Sequence, residues 1–256
     1  MTDEAQVVIR TVENGIARIT LNRPDKRNAL NEELVRGVTA ALQATESEDS
    51  TRVVILSGAG RDFCSGADLS ALQKIAAASV AENVDDASLL FELFLTIRRL
   101  PVPVIAAVQG KALAGGCGLA TACDLVLASS SARFGYPEVK IGFVPAMVMS
   151  ILRRNVSEKQ AFELITRGME MSAAEAKAIG LINQVFPDET FERDVTEYAA
   201  AFQKLSRSAI ALSKQLLYQI DGQMFLEGLS AGRDINVIAR MTEECKQGVA
   251  KFLKKN

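Results

Sequence analysis

Val7 to Arg10 and Ile16 to Leu21 are two β-prone runs on either side of Glu13-Asn14-Gly15, and a turn signal between such runs predicts an opening hairpin. Asn22 to Asn28 is polar and reads as a loop. Asn31 ahead of Glu32 and Glu33 has the form of a helix cap with acids in the first turn. Leu34, Val38, Ala41 and Leu42 then recur at helical spacing. Val53 to Leu56 is a short unbroken apolar run ending at Ser57-Gly58, the pattern of a strand buried on both faces. Helical stretches around Asp68 to Ala78 and Ser88 to Leu100 precede the apolar Val102 to Val108. A glycine-rich turn with a short helix precedes Asp124 to Ala128. Strand, crossover helix and strand repeated in this way predict parallel pairing in right-handed units, and hence an α/β fold.

After about residue 145 the strand signals almost stop. Ala146 to Arg154, Glu158 to Arg167 and Ala173 to Ile179 read as helices, Leu181 to Phe186 as one short strand, and three or four amphipathic helices follow from Asp188. A soft boundary near Pro187 divides residues 1–187, the expected core, from a helical segment at 188–256. No linker rich in Pro, Gly or Ser separates them.

Composition narrows the chemistry. The 256 residues include no His and no Trp, which removes Ser-His and Cys-His nucleophile pairs, imidazole metal sites and indole stacking platforms. Acid-base work falls to Asp, Glu, Lys, Tyr or Cys. Net charge is -2, from 29 basic and 31 acidic side chains spread along the chain, so nothing favours nucleic acid or an acidic membrane surface. Cys64, Cys117, Cys123 and Cys245 form no C-x-x-C and sit mostly in apolar runs, as expected of reduced, buried thiols in a reducing cytoplasm. The first ten residues carry two acids and no apolar leader core, and no apolar run reaches membrane-spanning length. A cytoplasmic protein is the expectation.

Ligands of parallel sheets sit at loops after the strands, which selects residues 58–68, 110–118 and 134–142. In the second loop the lysine precedes the glycine pair and no third glycine follows at the needed spacing, so it is neither a P-loop nor a dinucleotide motif. Paired glycines opening a helix do expose backbone N–H groups to an anion, and Ser65 or Gly66 in the first loop is placed to supply a second donor. Two converging donors make an oxyanion hole; close packing explains the glycines equally well. The third loop sets Glu138 among apolar residues, where a raised pKa makes it a general acid or base, with a surface ion pair to Lys140 as the plainer alternative. Asp68 and Asp124 read as structural.

Taken together the loops resemble a known family. Phe63-Cys64-Ser65-Gly66-Ala67-Asp68-Leu69 resembles the F-x-x-G-A-D-L segment of the enoyl-CoA hydratase/isomerase (crotonase) superfamily. Gly110 to Ala120 with Cys123-Asp124 is similar to its G-x-x-x-G-G-G-x-E-L-A-x-x-C-D signature, and Phe134 to Val139 with Gly142 and Pro145 to its F-x-x-P-E-x-x-x-G-x-x-P. Asn22-Arg23-Pro24 and Asn28-Ala29-Leu30 match its opening. The resemblance implies a spiral of ββα units with a C-terminal helical segment, a homotrimer or homohexamer, and an acyl-CoA substrate with no separate cofactor or metal. It implies Glu138 as catalytic acid-base, and the backbone N–H groups of Ser65 and Gly115 as oxyanion hole. It also implies substrate contacts at Gly66, Ala67, Asp68, Gly116, Gly118 and Lys255.

The chain departs from that pattern at the position that decides the reaction. Hydratases of the family carry one Glu in G-G-G-x-E-L and another in F-x-x-P-E; here the first position is Gly118, and Ala114 replaces the first glycine of the triplet. A wider, less polar cavity is expected beside Gly118. The resemblance favours hydration of a 2-enoyl-CoA, the branched methylglutaconyl type included. A single carboxylate suits 3-enoyl to 2-enoyl isomerisation, and an acyl-CoA-binding subunit with little catalysis is the reading from another class.

Overall fold

The computed structural model describes residues 6–254. Two antiparallel strands, β1 (Val8–Glu13) and β2 (Ile16–Leu21), form the expected hairpin, with Asn14 and Gly15 both at positive φ in its turn. Helix α1 (Glu32–Glu46) is capped by the Asn31 side chain, which accepts from Leu34 N–H, and buries Leu34, Val38, Ala41 and Leu42.

From β2 onward the pairing is parallel. β3 (Val53–Gly58), β4 (Val104–Val108), β6 (Leu125–Ser129) and β9 (Gln184–Phe186) complete a six-stranded sheet in the order β1-β2-β3-β4-β6-β9. Alternation divides the core between the two faces of this sheet. Val54, Leu56, Val104 and Ala106 point into the main core under α1, while Val53, Ile55, Ile105 and Leu127 meet Phe191, Val195 and Ala199 of α8 (Phe191–Ala200). Burial on both faces is why Val53 to Leu56 shows no polar positions.

Three strands of three residues each build a second sheet: β5 (Lys111–Leu113), β7 (Arg133–Gly135) and β8 (Glu170–Ser172), in the order β5-β7-β8. β4 and β5 lead into α4 (Gly115–Ala122). β6 and β7 lead, through a short 3-10 turn at Pro137–Ile141, into α5 (Ala146–Asn155) and α6 (Glu158–Arg167). Hairpin and α1, β4-β5-α4 and β6-β7-α5 thus repeat one ββα unit, and the expected spiral is the fold.

The helix expected at Ser88 begins earlier. After α2 (Leu69–Ala77), α3 runs Val80–Arg99, started by a capping box in which Ser79 and Glu82 satisfy each other's backbone N–H. The remaining elements are α7 (Ala173–Ala178), α9 (Arg207–Gln219), α10 (Phe225–Met241) and α11 (Glu243–Leu253). α9 is pinned to the core by buried Lys214, whose Nζ donates to Asp124 Oδ2 at 2.7 Å and to the carbonyls of Ile97 and Val102. Asp124 also accepts from Tyr218 OH, so its expected structural role holds. Among the described residues no helix is long and apolar enough to cross a membrane.

Candidate active site

The first and second loops are stitched edge to edge. Cys64 bridges Ala112, and Leu30 bridges Ala67, with Leu30 N–H donating to Gly66 O and Asp68 N–H to Leu30 O. In such a parallel bridge the N–H of the central residue, Ala67, points away from its partner strand. No hydrogen bond engages it among the described residues. Ser65 differs: its N–H donates to Arg27 O at 3.1 Å. The donor expected at Ser65 is therefore already used in holding the Arg27 loop, and the unengaged N–H of the segment belongs to Ala67.

Gly115 is the first residue of α4, so its N–H lies among the helix-start donors that have no partner within the helix. Ala114 before it stands at φ 50°, a conformation that favours glycine, with its N–H held by Gly135 O at 2.9 Å. Strain of this kind concentrates where backbone must be aimed at a ligand. The helix start adds positive potential at the same point.

Glu138 lies in the 3-10 turn that follows β7. Proline opens the turn, Gly142 ends it at φ 73°, and Phe143 N–H donates to Glu138 O at 3.0 Å. The residue is only 8% exposed, its Oε2 has no hydrogen-bond partner, and burial raises the carboxyl above the usual Glu range. Among the described residues no ion pair joins it to Lys140.

Ser65, Ala67, Gly115 and Glu138 line one cavity of about 470 Å³, walled chiefly by Leu30, Leu72, Leu90, Phe143, Met147 and Val148. An apolar chamber with a proton-accepting carboxyl and two unengaged N–H groups is equipped to stabilise a developing oxyanion while moving a proton at carbon.

Several expected contacts fall elsewhere. Gly66, Asp68, Gly116 and Gly118 do not line this cavity. Gly66, at φ 103°, lets the first loop approach the second: a Cβ there would sit 2.9 Å from Ala114 Cβ. At Gly116 a Cβ would collide with Cys64 backbone, so this glycine is a close-packing position. Asp68 caps α2 by accepting from Ser70 N–H and pairs with Arg23. Lys255 lies outside the described residues.

The cavity is not widened at Gly118. A Cβ built there would overlap Val148 Cγ1 and lie 3.6 Å from Phe94 Cζ, so a valine from α5 already occupies the space. Nothing in the local pattern of either helix signals this pairing; it follows from how α5 crosses α4. Cys64 and Cys117 are fully buried, with thiols pushed up to about 12 by desolvation, which makes them packing groups here.

Comparison with known proteins agrees over nearly the whole chain. A family model described as enoyl-CoA hydratase/isomerase matches residues 11–256. A relative from Thermus thermophilus is 38% identical over 245 residues, covering 95% of this chain and 97% of that protein. The 2,3-dehydroadipyl-CoA hydratase of Escherichia coli is 33% identical over 238 residues, 93% of this chain and 91% of the relative. The crystal structure of an enoyl-CoA hydratase from Mycobacterium smegmatis superposes with a TM-score of 0.92 at 31% identity, covering 98% of this chain and 97% of the other. With motif order, ββα spiral and site loops all in agreement, the chain belongs to the enoyl-CoA hydratase/isomerase family.

Proposed function

We propose that the chain hydrates a 2-enoyl-CoA thioester, with Glu138 as its one acid-base group and the N–H groups of Ala67 and Gly115 as the oxyanion hole. The observation that carries this reading is the buried Glu138 carboxyl, whose Oε2 has no hydrogen-bond partner, sharing an apolar cavity with two unengaged backbone donors. Water oxygen adds to C3 as Glu138 takes a water proton. The electron pair of the C2–C3 double bond moves toward the thioester oxygen, where the two N–H groups stabilise the enolate. Protonated Glu138 then delivers its proton to C2. Water is added across the double bond with no net electron transfer, so the step needs no redox cofactor. Relatives named as hydratases support the reading.

One observation favours a second reading. Val148 fills the place beside Gly118 from which another carboxylate would hold the attacking water. A lone Glu138 suffices to take a proton from C2 of a 3-enoyl-CoA and return it to C4, which is isomerisation. A dicarboxylic acyl chain of the methylglutaconyl type is less well served: among the described residues that line the cavity Lys140 is the one cation, against Glu32, Asp86 and Glu138.

The deciding experiment incubates the protein with matched 2-enoyl- and 3-enoyl-CoA thioesters in ¹⁸O-labelled water and follows the products by mass spectrometry. Gain of labelled water on the 2-enoyl thioester supports hydration. Loss of the 3-enoyl isomer with no gain of mass supports the alternative, and turnover of neither defeats both.

Assembly belongs to the same proposal. Phe225, Leu226, Leu229, Val237 and Met241 of α10 are each more than half exposed, as are Val249 and Leu253 of α11. Exposed apolar side chains in this number suit burial against other copies, as a homotrimer or homohexamer. Light scattering is expected to give a mass at least three times the 27.6 kDa chain; a stable monomer at micromolar concentration overturns it. We place the protein in the cytoplasm, in line with its reduced cysteines.

A further inference from the structure

The floor of the cavity is built by an exchange of size between two helices. Gly118 lies three residues beyond Gly115 on α4, so a side chain at 118 would project from the helix face that carries the Gly115 N–H. That volume is taken instead by Val148, which reaches across from α5 and is 4% exposed. Phe94 of α3 closes the same spot from behind. Val148 is thus the group that meets a ligand where a side chain from 118 would otherwise stand, and it lines the cavity together with Gly115 and Glu138.

Val is β-branched, and such side chains have restricted χ1 freedom, so its isopropyl group makes a fixed wall. Its methyls carry no donor or acceptor to hold a water molecule, and neither does Gly118. On the hydratase reading the thioester oxygen meets the Ala67 and Gly115 donors and the proton-transferring carbon meets Glu138, which sets C3 of the acyl chain against the Val148 side of the same cavity. An extra methyl on C3 would then compete with the Val148 isopropyl group for the space over Gly118.

We propose that Val148 is a specificity-determining residue: its isopropyl group fills the space over Gly118 and restricts the site to acyl chains unbranched at C3. The inference rests on the hydratase reading for the orientation of the thioester, and a binding measurement separates the two.

The test compares wild type, Val148→Ala and Val148→Ile. Dissociation constants are measured for the saturated analogues butyryl-CoA and 3-methylbutyryl-CoA, and kcat/KM for crotonyl-CoA and 3-methylcrotonyl-CoA. One methyl group against a packed wall corresponds to a preference of about tenfold or more, so wild type should favour the straight chain by that factor in binding and in turnover. Val148→Ala should reduce the preference at least about fivefold and Val148→Ile should increase it. The two variants act in opposite directions, so the failure of one to fold leaves the other decisive. A wild type indifferent to the branch, or a folded variant with an unchanged ratio, overturns the proposal. If no thioester is turned over but the binding ratios move as stated, the Val148 wall stands and the hydratase reading falls.

Discussion

Arg23 Nη2 donates to Asp68 Oδ2 at 2.8 Å, and Arg23 Nη1 donates to the Ala29 carbonyl, so one guanidinium ties the polar loop after the hairpin to the residue that starts α2. Both side chains are largely buried, and Ala67, with its unengaged N–H, is the immediate neighbour of the clamped Asp68. The pair therefore holds the backbone of the site and is not itself offered to substrate. Breaking it with Asp68→Asn should cost about 1.5–3 kcal/mol, the usual range for a hydrogen bond to a charged group. The Ser70 N–H and hydroxyl and the Arg23 guanidinium hold the Asp68 carboxyl down at about 2, against the upward push of burial. Its stabilising contribution is therefore complete above the ordinary Asp pKa of about 3.9 and is lost as pH falls through the folded value. Chemical denaturation of wild type and variant at pH 7 and pH 2 checks this: the gap between them should close at the lower pH.

Glu138→Gln should lower turnover by about 10² or more while leaving affinity for a product CoA thioester close to wild type. The same substitution has an opposite effect on stability. Burial raises the Glu138 carboxyl, so the folded state favours its neutral form, and wild type loses stability as pH rises through the folded pKa. The Gln variant has no such loss. Its thermal midpoint should match wild type near pH 4 and exceed it at pH 8, and a variant less stable than wild type at pH 8 would contradict the buried, unpartnered state of this carboxyl. On the proposed reading Glu138 acts in its ionised form as general base, so the acidic limb of the wild-type kcat/KM profile should lie above the ordinary carboxylate range.

Backbone donors leave side-chain substitutions silent, and Ser65→Ala should be mild. Gly115→Pro is the informative change. Proline is favoured at the first position of a helix, where its missing N–H breaks no helical bond. Leu30 Cδ1, 3.2 Å from the place of an added Cβ, needs to give by only a few tenths of an ångström. The variant should fold and lose about 10² to 10³ in kcat, the usual effect of removing one oxyanion donor. Folded protein with wild-type kcat would move the oxyanion hole away from Gly115.

The spiral was legible where the physics is local. Asn14-Gly15 marks the hairpin, Asn31 caps α1, and the two-faced burial of β3 leaves an unbroken apolar run. The second sheet was not: β5, β7 and β8 have three residues each, too few for alternation to register. The start of α3 was missed although Ser79 and Glu82 carry the spacing of a capping box. Within the site, motif and residue type pointed to Glu138 and Gly115, and both line the cavity. Choosing Ala67 over Ser65 depended on which way each N–H points, and that is settled by the Arg27 and Leu30 carbonyls, residues distant in sequence. The Val148 wall is a contact between helices, and only the crossing of α4 and α5 discloses it.

Gly118 and Val148 should behave as a coupled pair. Gly118 is fully enclosed, and a single added methyl must displace Val148 or shift α5. Gly118→Ala alone should therefore be destabilised by about 1–3 kcal/mol, as overpacked cores are, even though Ala is the better helix former. Val148→Ala alone removes two methyls from a buried side chain and should also cost stability. In the double variant the alanine at 118 occupies part of the space that the valine vacates, so the combined loss should be clearly smaller than the sum of the singles. A thermodynamic cycle from urea denaturation reads this coupling directly, with neighbours in contact expected to deviate from additivity by about 0.5–3 kcal/mol. The same logic governs Gly118→Glu, which should not fold as a single change and should be tolerated only beside Val148→Gly. If Gly118→Ala is as stable as wild type, or the two substitutions add with no coupling, the side chain of Val148 does not fill the space above Gly118, and the absence of a second carboxylate there needs a different explanation.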